Sequence, residues 1–142
     1  VVRQPPSGRI VPAATRKKTR DKYKRIFKSL AQSGILYRMS QGRIELLQKM
    51  LEEDPKDAFC RYGMAQEYLK AGDYVNAVLW FDKTIESDVD YCYAYYHKAR
   101  ALEQAGKIGD ATATLRTGLE RARVSGDTHA ISEIQSLLDQ IS

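Results

Sequence analysis

Apolar positions in this chain recur at the three-to-four-residue spacing of helices that bury one face. Between Asp57 and Arg123 the pattern is written twice, at an offset of 34 residues. Gly72 aligns with Gly106, Ala65 with Ala99, Tyr68 with Leu102, Ala77 with Ala111 and Phe81 with Leu115. Each copy is a helical run, an Ala-Gly break (Ala71-Gly72, Ala105-Gly106) and a second helical run. The first copy predicts a helix from an Asp57 cap to Lys70, with Phe59, Tyr62, Ala65, Tyr68 and Leu69 facing a core or groove. Asp73 opens its partner, which packs through Val78, Phe81 and Ile85. The second copy predicts helices over 91–104 and about 108–122, the latter on Ala111, Leu115 and Leu119.

The flanks carry single helices. Ile44, Leu47, Met50 and Leu51 make the stripe of a helix over about 41–53, with Ser40 as N-cap and Asp54-Pro55 as its stop. Gly126-Asp127 opens a last helix on Ile131, Ile134, Leu137, Leu138 and Ile141, with Glu133, Gln135, Ser136, Asp139 and Gln140 toward water. It reads as a cap, because the terminal unit of a stack has no neighbour to cover it. Upstream, Tyr23, Ile26, Phe27, Leu30 and Ala31 mark an amphipathic helix over 19–33 that stops at Gly34. Residues 1–14 hold three of the four prolines with little periodicity, and are expected to be disordered. The fold class is all-α.

Charge divides the chain. Residues 1–38 carry eleven Lys/Arg against one acid, a surplus of +10, whereas 39–142 carry a deficit of −5. The expected organisation is therefore a basic arm over 1–38 and a helical-repeat domain over 39–142. The chain opens on Val1, and both an upstream start and an internal start at Met39 are open readings. No apolar run approaches the roughly 18 residues that span a bilayer. Pro12 interrupts Ile10-Val11, so no secretory signal is read and a cytoplasmic setting is expected. Cys60 and Cys92 suit a reducing compartment as small buried hydrophobes.

At Ala65, Gly72, Ala77 and Phe81, and again at Ala99, Gly106, Ala111 and Leu115, the sequence resembles the tetratricopeptide repeat family. The small residues suit the close crossing of two helices, where axes about 8–10 Å apart leave room for a methyl group. The resemblance implies a right-handed α-solenoid of antiparallel helix pairs, with full repeats about 58–91 and 92–125 and a capping helix about 127–141. It is similar to short stand-alone bacterial proteins of this type. Departures exist: the large aromatic near the start of the first helix is Tyr95 in one unit but Arg61 in the other, and the closing proline is kept only at Pro55. Counting back 34 residues from Asp57 reaches Tyr23, so a degenerate earlier unit made of the arm helix and the helix after Ser40 is an open reading, with Phe27 and Ala31 at the aromatic and small positions.

The resemblance further implies a concave groove lined by Tyr62, Gln66, Lys70, Tyr96, His97 and Arg100 that holds a peptide or helix of another protein. Tyr and Arg are apt for such a surface, combining apolar area with directional hydrogen bonds. The expected function is a non-catalytic interaction scaffold or adaptor. The alternative is an RNA- or ribosome-associated adaptor, with Arg16, Lys17, Lys18, Arg20, Lys24 and Arg25 on phosphates. The plainer account of those cations is the solvated face of a surface helix. Asp127, His129 and Ser132 are close in sequence, but proximity alone does not build a catalytic triad. Cys60, Cys92, His97 and His129 lack ligand-pair spacing and no Gly-rich phosphate loop occurs, so no enzyme, metal or cofactor is expected.

Overall fold

A computed structural model describes residues 18, 21, 22, 24–26 and 34–142, and divides the chain into two compact units, Val1–Met39 and Ser40–Ser142. In the first unit the described residues 18, 21, 22 and 24–26 are helical, and Lys18, Lys22, Lys24, Arg25 and Ile26 are exposed. The remainder of the expected helix over 19–33, with Tyr23 and Phe27, and the expected disorder over 1–14 lie outside the described residues. Gly34 forms a turn at φ 75°.

From there the described elements are α1 (Ile35–Glu53), α2 (Ala58–Lys70), α3 (Tyr74–Ser87), α4 (Cys92–Gln104), α5 (Ile108–Ser125) and α6 (Thr128–Ile141). Among the described residues all regular structure is helical. Side-chain carboxylates start three of these helices: Asp57 accepts from the Cys60 amide (2.8 Å), Asp73 from Asn76 (3.2 Å) and Asp127 from Ala130 (3.0 Å). Each satisfies an amide that the helix itself leaves free. Lys107, one repeat on from Asp73, gives α5 no side-chain cap.

The two internal turns repeat atom for atom. Gly72 and Gly106 take φ 76° and 77°, in the left-handed region where a Cβ is strained. The amide after each reaches back five residues, Asp73 to the Tyr68 carbonyl (3.0 Å) and Lys107 to that of Leu102 (2.8 Å). This doubled-back ending reverses the chain within two residues and sets α2 against α3 and α4 against α5. Gly126 repeats it before α6, with the Asp127 amide on the Ala122 carbonyl at 3.0 Å.

Successive helices pack on one another from α2 to α6, and α2 also touches α4, as α4 touches α6. Ala65, Ala77 and Phe81 are fully buried, as are Ala99, Ala111 and Leu115 one repeat on. The first set joins Ala94 and Ala101 in one apolar cluster, and the second joins Leu119, Ile134 and Leu137 in another. The register also extends to α1. A Cβ on Gly63 of α2 would stand 3.1 Å from Leu47 of α1. One repeat later His97 of α4 stacks on Phe81 of α3, with ring centroids 6.3 Å apart. So α1 meets α2 as α3 meets α4.

Several expectations need correction. Helix α1 starts at Ile35, not Gln41, so Ser40 lies inside it. Its hydroxyl donates to Glu67 Oε2 at 2.8 Å instead of capping, which removes the usual objection to Ser in a helix interior. Met50 is exposed, since Ile44 and Leu47 set the inward face of α1. Phe59 is 70% exposed. The buried arc of α2 runs through Cys60, Met64 and Glu67, and Phe59 stands about 100° away from it. Helix α5 continues to Ser125, past the expected end at Ala122. On α6, Glu133 and Gln135 are half-buried and not simply turned to water.

The exchange of Tyr95 for Arg61 between the two units has a structural explanation. Tyr95 donates its hydroxyl to the Val89 carbonyl at 2.8 Å, and Arg61 donates Nε to the Pro55 carbonyl at 2.8 Å. Both bonds pin the loop six residues upstream, at positions one repeat apart. Arg61 also reaches the Lys83 carbonyl at 2.8 Å on α3. Where the buried Tyr95 crosses α5 the facing residue is Gly118, while its counterpart in α3 is Thr84. A Cβ on Gly118 would fall 2.5 Å from the Tyr95 Cβ.

Glu67 ties α1 to α2. It is only 5% exposed, yet accepts from Ser40 and, at 3.3 and 3.4 Å, from Arg43 and Lys70. Burial alone pushes its carboxyl up, but the Ser40 hydrogen bond and the two cations together hold it below the ordinary 4.5.

Two measurements check this packing. Gly118→Ala is expected to lower unfolding free energy by about 1–3 kcal/mol through overpacking. Gly42→Ala, in open space on α1, is expected to raise it by about 0.5–1 kcal/mol. Urea unfolding of the two variants should therefore move in opposite directions. The Glu67 contribution is full above the unfolded-state value near 4.5 and is lost as pH falls through the lower folded-state value. Thermal melts in that acid window should show a loss in the wild type that Glu67→Gln reduces.

Candidate functional site

Helix α4 is pressed from two sides. Ala94 and Ala101 face the cluster that contains Phe81 of α3, while Cys92, Ala99 and Leu102 belong to the cluster shared with α5 and α6. The arc left over carries Tyr93, Tyr96, His97, Arg100 and Gln104, in which Tyr96 and His97 each lie three or four residues from Tyr93 and Arg100. Tyr96, His97, Arg100 and Gln104 line an open cleft of about 370 Å³, closed on its other side by Leu69 of α2 and Tyr74 of α3.

The four tyrosines at the start of α4 have separate placements. Tyr95 is buried and structural. Tyr91 precedes the helix and lays its ring 4.9 Å from Tyr62. Tyr93 lies 6.4 Å from the His129 ring of α6. Tyr96 borders the cleft, edge-on to His97 at 5.0 Å.

Of the residues expected along a groove, Tyr96, His97 and Arg100 come together in the cleft. Tyr62 is half-buried instead, packed against Phe81 (5.9 Å) and His97 (5.9 Å). Burial, with the field of Tyr91, pushes its phenol up to about 12. Gln66 is half-buried, with its Nε2 sealed from solvent and unpartnered in the structure. Lys70 is exposed and engaged with Glu67. Leu69, Tyr74 and Gln104 complete the lining. Tyr74 and Gln104 escape a reading of single helices, because Tyr74 follows the turn and Gln104 ends α4, so only the fold brings them to one place.

Burial also affects His97, the ionisable ring of the cleft. Its ring is held among Tyr62, Phe81 and Tyr96. Burial first, then the charge of Arg100, lowers it from the ordinary 6.5, while Glu133 of α6 pulls the other way. Arg100 is half-exposed, with Glu103 at 3.8 Å. An exposed pair of that length is worth at most about 1 kcal/mol, so the guanidinium is free to take another partner.

Asp127, His129 and Ser132 are not assembled as a triad. Asp127 is the α6 cap, and His129 pairs with Glu133 at 3.4 Å. Cys60 and Cys92 are free and buried, and burial raises both thiols. Among the described residues no group of His, Cys, Asp or Glu could hold a metal ion, and no helix is long and apolar enough to cross a membrane. Of the candidate phosphate contacts, Lys18, Lys24 and Arg25 are exposed; Arg16, Lys17 and Arg20 lie outside the described residues. A second hollow, about 520 Å³ on α5, mixes Arg116 and Arg121 with Glu120 and has no aromatic wall.

Antiparallel helix pairs, repeated at 34 residues with an open cleft on a first helix, define a helical-repeat protein. No family model matches the chain. A TPR repeat-containing protein of Pseudomonas aeruginosa is 31% identical over 98 residues, covering 69% of this chain and 93% of the relative. The solution structure of a tetratricopeptide repeat domain protein from Salinibacter ruber is 36% identical, covering 63% of this chain and 90% of that one, at a TM-score of 0.59. The TPR2B domain of yeast Sti1, solved as a complex with pHsp70, shares the fold at 19% identity and a TM-score of 0.68, over 80% of this chain and 91% of that domain. The chain belongs to the tetratricopeptide repeat family.

One prediction concerns the free protein. The His97 imidazole should titrate with a midpoint below 6.5, followed by its ring proton resonances. A lowered folded-state value means stability declines as pH drops from about 6.5 through that value, because the unfolded chain binds the proton first.

Proposed function

We propose that this chain is a non-catalytic scaffold of the cytoplasm, capturing a segment of another protein along the face that α4 leaves open. The observation that carries this is the cleft of Leu69, Tyr74, Tyr96, His97, Arg100 and Gln104. On a helix otherwise buried on both sides, aromatic area and a weakly engaged guanidinium remain exposed together. These are the residue types that concentrate binding energy at protein interfaces. The Sti1 domain of the same fold was solved as a complex with pHsp70, which supports the class of activity without carrying over its ligand. On α2, exposed Lys70 would contact a longer segment, while Tyr62 and Gln66, both half-buried, would back that contact. The alternative, an RNA- or ribosome-associated adaptor acting through the arm, rests on the +10 charge of residues 1–38 alone.

Affinity capture from lysate checks the reading. A Tyr96→Ala, Arg100→Ala double variant with unchanged helical circular dichroism is expected to lose the partners that wild type retains. Each truncation at a hot spot typically costs about 2 kcal/mol or more, so bound fractions should fall at least tenfold. Identical partners for the two folded proteins would overturn the cleft as the binding face.

A further inference from the structure

We infer that the cleft takes an apolar side chain lying beside a carboxylate, and that His97 takes up a proton as the carboxylate binds. This rests on the cleft being the partner site and specifies the ligand chemistry and regulation of that site.

The ligand chemistry follows from the lining. Leu69 and the rings of Tyr74 and Tyr96 offer apolar and aromatic walls, and the formal charge among the lining residues is that of Arg100. Glu103 stands 3.8 Å from Arg100 but outside the lining, so an incoming carboxylate meets a cation that a weak surface pair occupies. A guanidinium fork suits a carboxylate better than any neutral acceptor.

The proton follows from what surrounds His97. From α2 the ring meets Tyr62, whose phenol stays neutral with its value near 12. From α3 it meets the Phe81 ring, and Tyr74 stands in the same cleft. On α4 it meets Tyr96 and the charge of Arg100, and from α6 the charge of Glu133, which is itself 3.4 Å from His129. Two causes keep the imidazole neutral, burial and Arg100. A carboxylate on Arg100 cancels the second and adds an attraction in its place. Carboxylate binding and proton uptake therefore favour each other, and by reciprocity affinity must rise as the solution becomes more acid.

The test uses the full chain and two short probes, acetyl-Asp-Leu-Asp-amide and acetyl-Asn-Leu-Asn-amide, titrated at pH 7.5 and 5.5. Aspartate remains ionised at both values, since its ordinary value is about 3.9. The acidic probe is expected to shift cleft resonances, to bind at least about fivefold more tightly than the neutral one, and to raise the His97 midpoint. Its affinity should gain about three- to tenfold at the lower pH, tenfold being the limit for a rise of about one unit. In His97→Gln, checked for unchanged helicity, the acid gain should vanish, because the amide cannot titrate. Equal binding of the two probes overturns the carboxylate. An unmoved His97 midpoint, or an acid gain that persists in His97→Gln, overturns the proton. Absence of binding by both probes overturns the inference as a whole, while the lysate capture decides separately whether the cleft is a partner site.

Discussion

Helices in the second unit approach so closely that little more than a methyl group or a hydrogen fits between them. Ala65, Ala77, Ala99 and Ala111 have no exposed surface, and Gly118 admits Tyr95 where even a Cβ would be rejected. Dispersion between well-packed atoms is small per contact and large in sum, and it falls away steeply across a gap. The spacing of these small residues therefore fixes the crossing points, and the crossing points fix which arc of each helix remains open. On α4 the open arc is the one that faces Leu69 of α2 and Tyr74 of α3 across the cleft.

Within that frame the repeat is conserved as a set of contacts more than as a set of residue types. Arg61 and Tyr95 share little chemistry, yet each donates a hydrogen bond to the carbonyl six residues upstream. The change travels with a second one across the helix pair, Thr84 in the first unit and Gly118 in the second. A broad, rigid ring needs a hydrogen opposite it, whereas a long guanidinium stem leaves room for a side chain. Glu67 shows the same economy at the α1–α2 contact. Burying a lone carboxylate costs several kcal/mol, and three donors from two helices offset that cost while specifying how α1 docks.

The cleft is a consequence of this packing. Helix α4 spends two of its faces on neighbours, so its remaining side chains cannot retreat into a core. His97 sits at the border of the two roles, stacked on Phe81 as part of a junction and lining the cleft beside Arg100. A titratable ring in that position couples the packing of one repeat on the next to the charge of whatever occupies the cleft.

By itself the sequence determined the architecture: a 34-residue period, two glycines that must take positive φ, and alanines at the crossings leave few other ways to bury these stripes. Local periodicity and turn chemistry carry that information, and both are readable from neighbours in the chain. The Ser40–Glu67 bond was decided only in three dimensions, because it needs a partner from another helix, and the start of α1 at Ile35 and the exposure of Phe59 were likewise not carried by local periodicity. The same holds for the site. Tyr96, His97 and Arg100 are legible as one helical face, but Tyr74 and Gln104 join them, and Tyr62 turns from open groove to packed ring, only through contacts between elements distant along the chain.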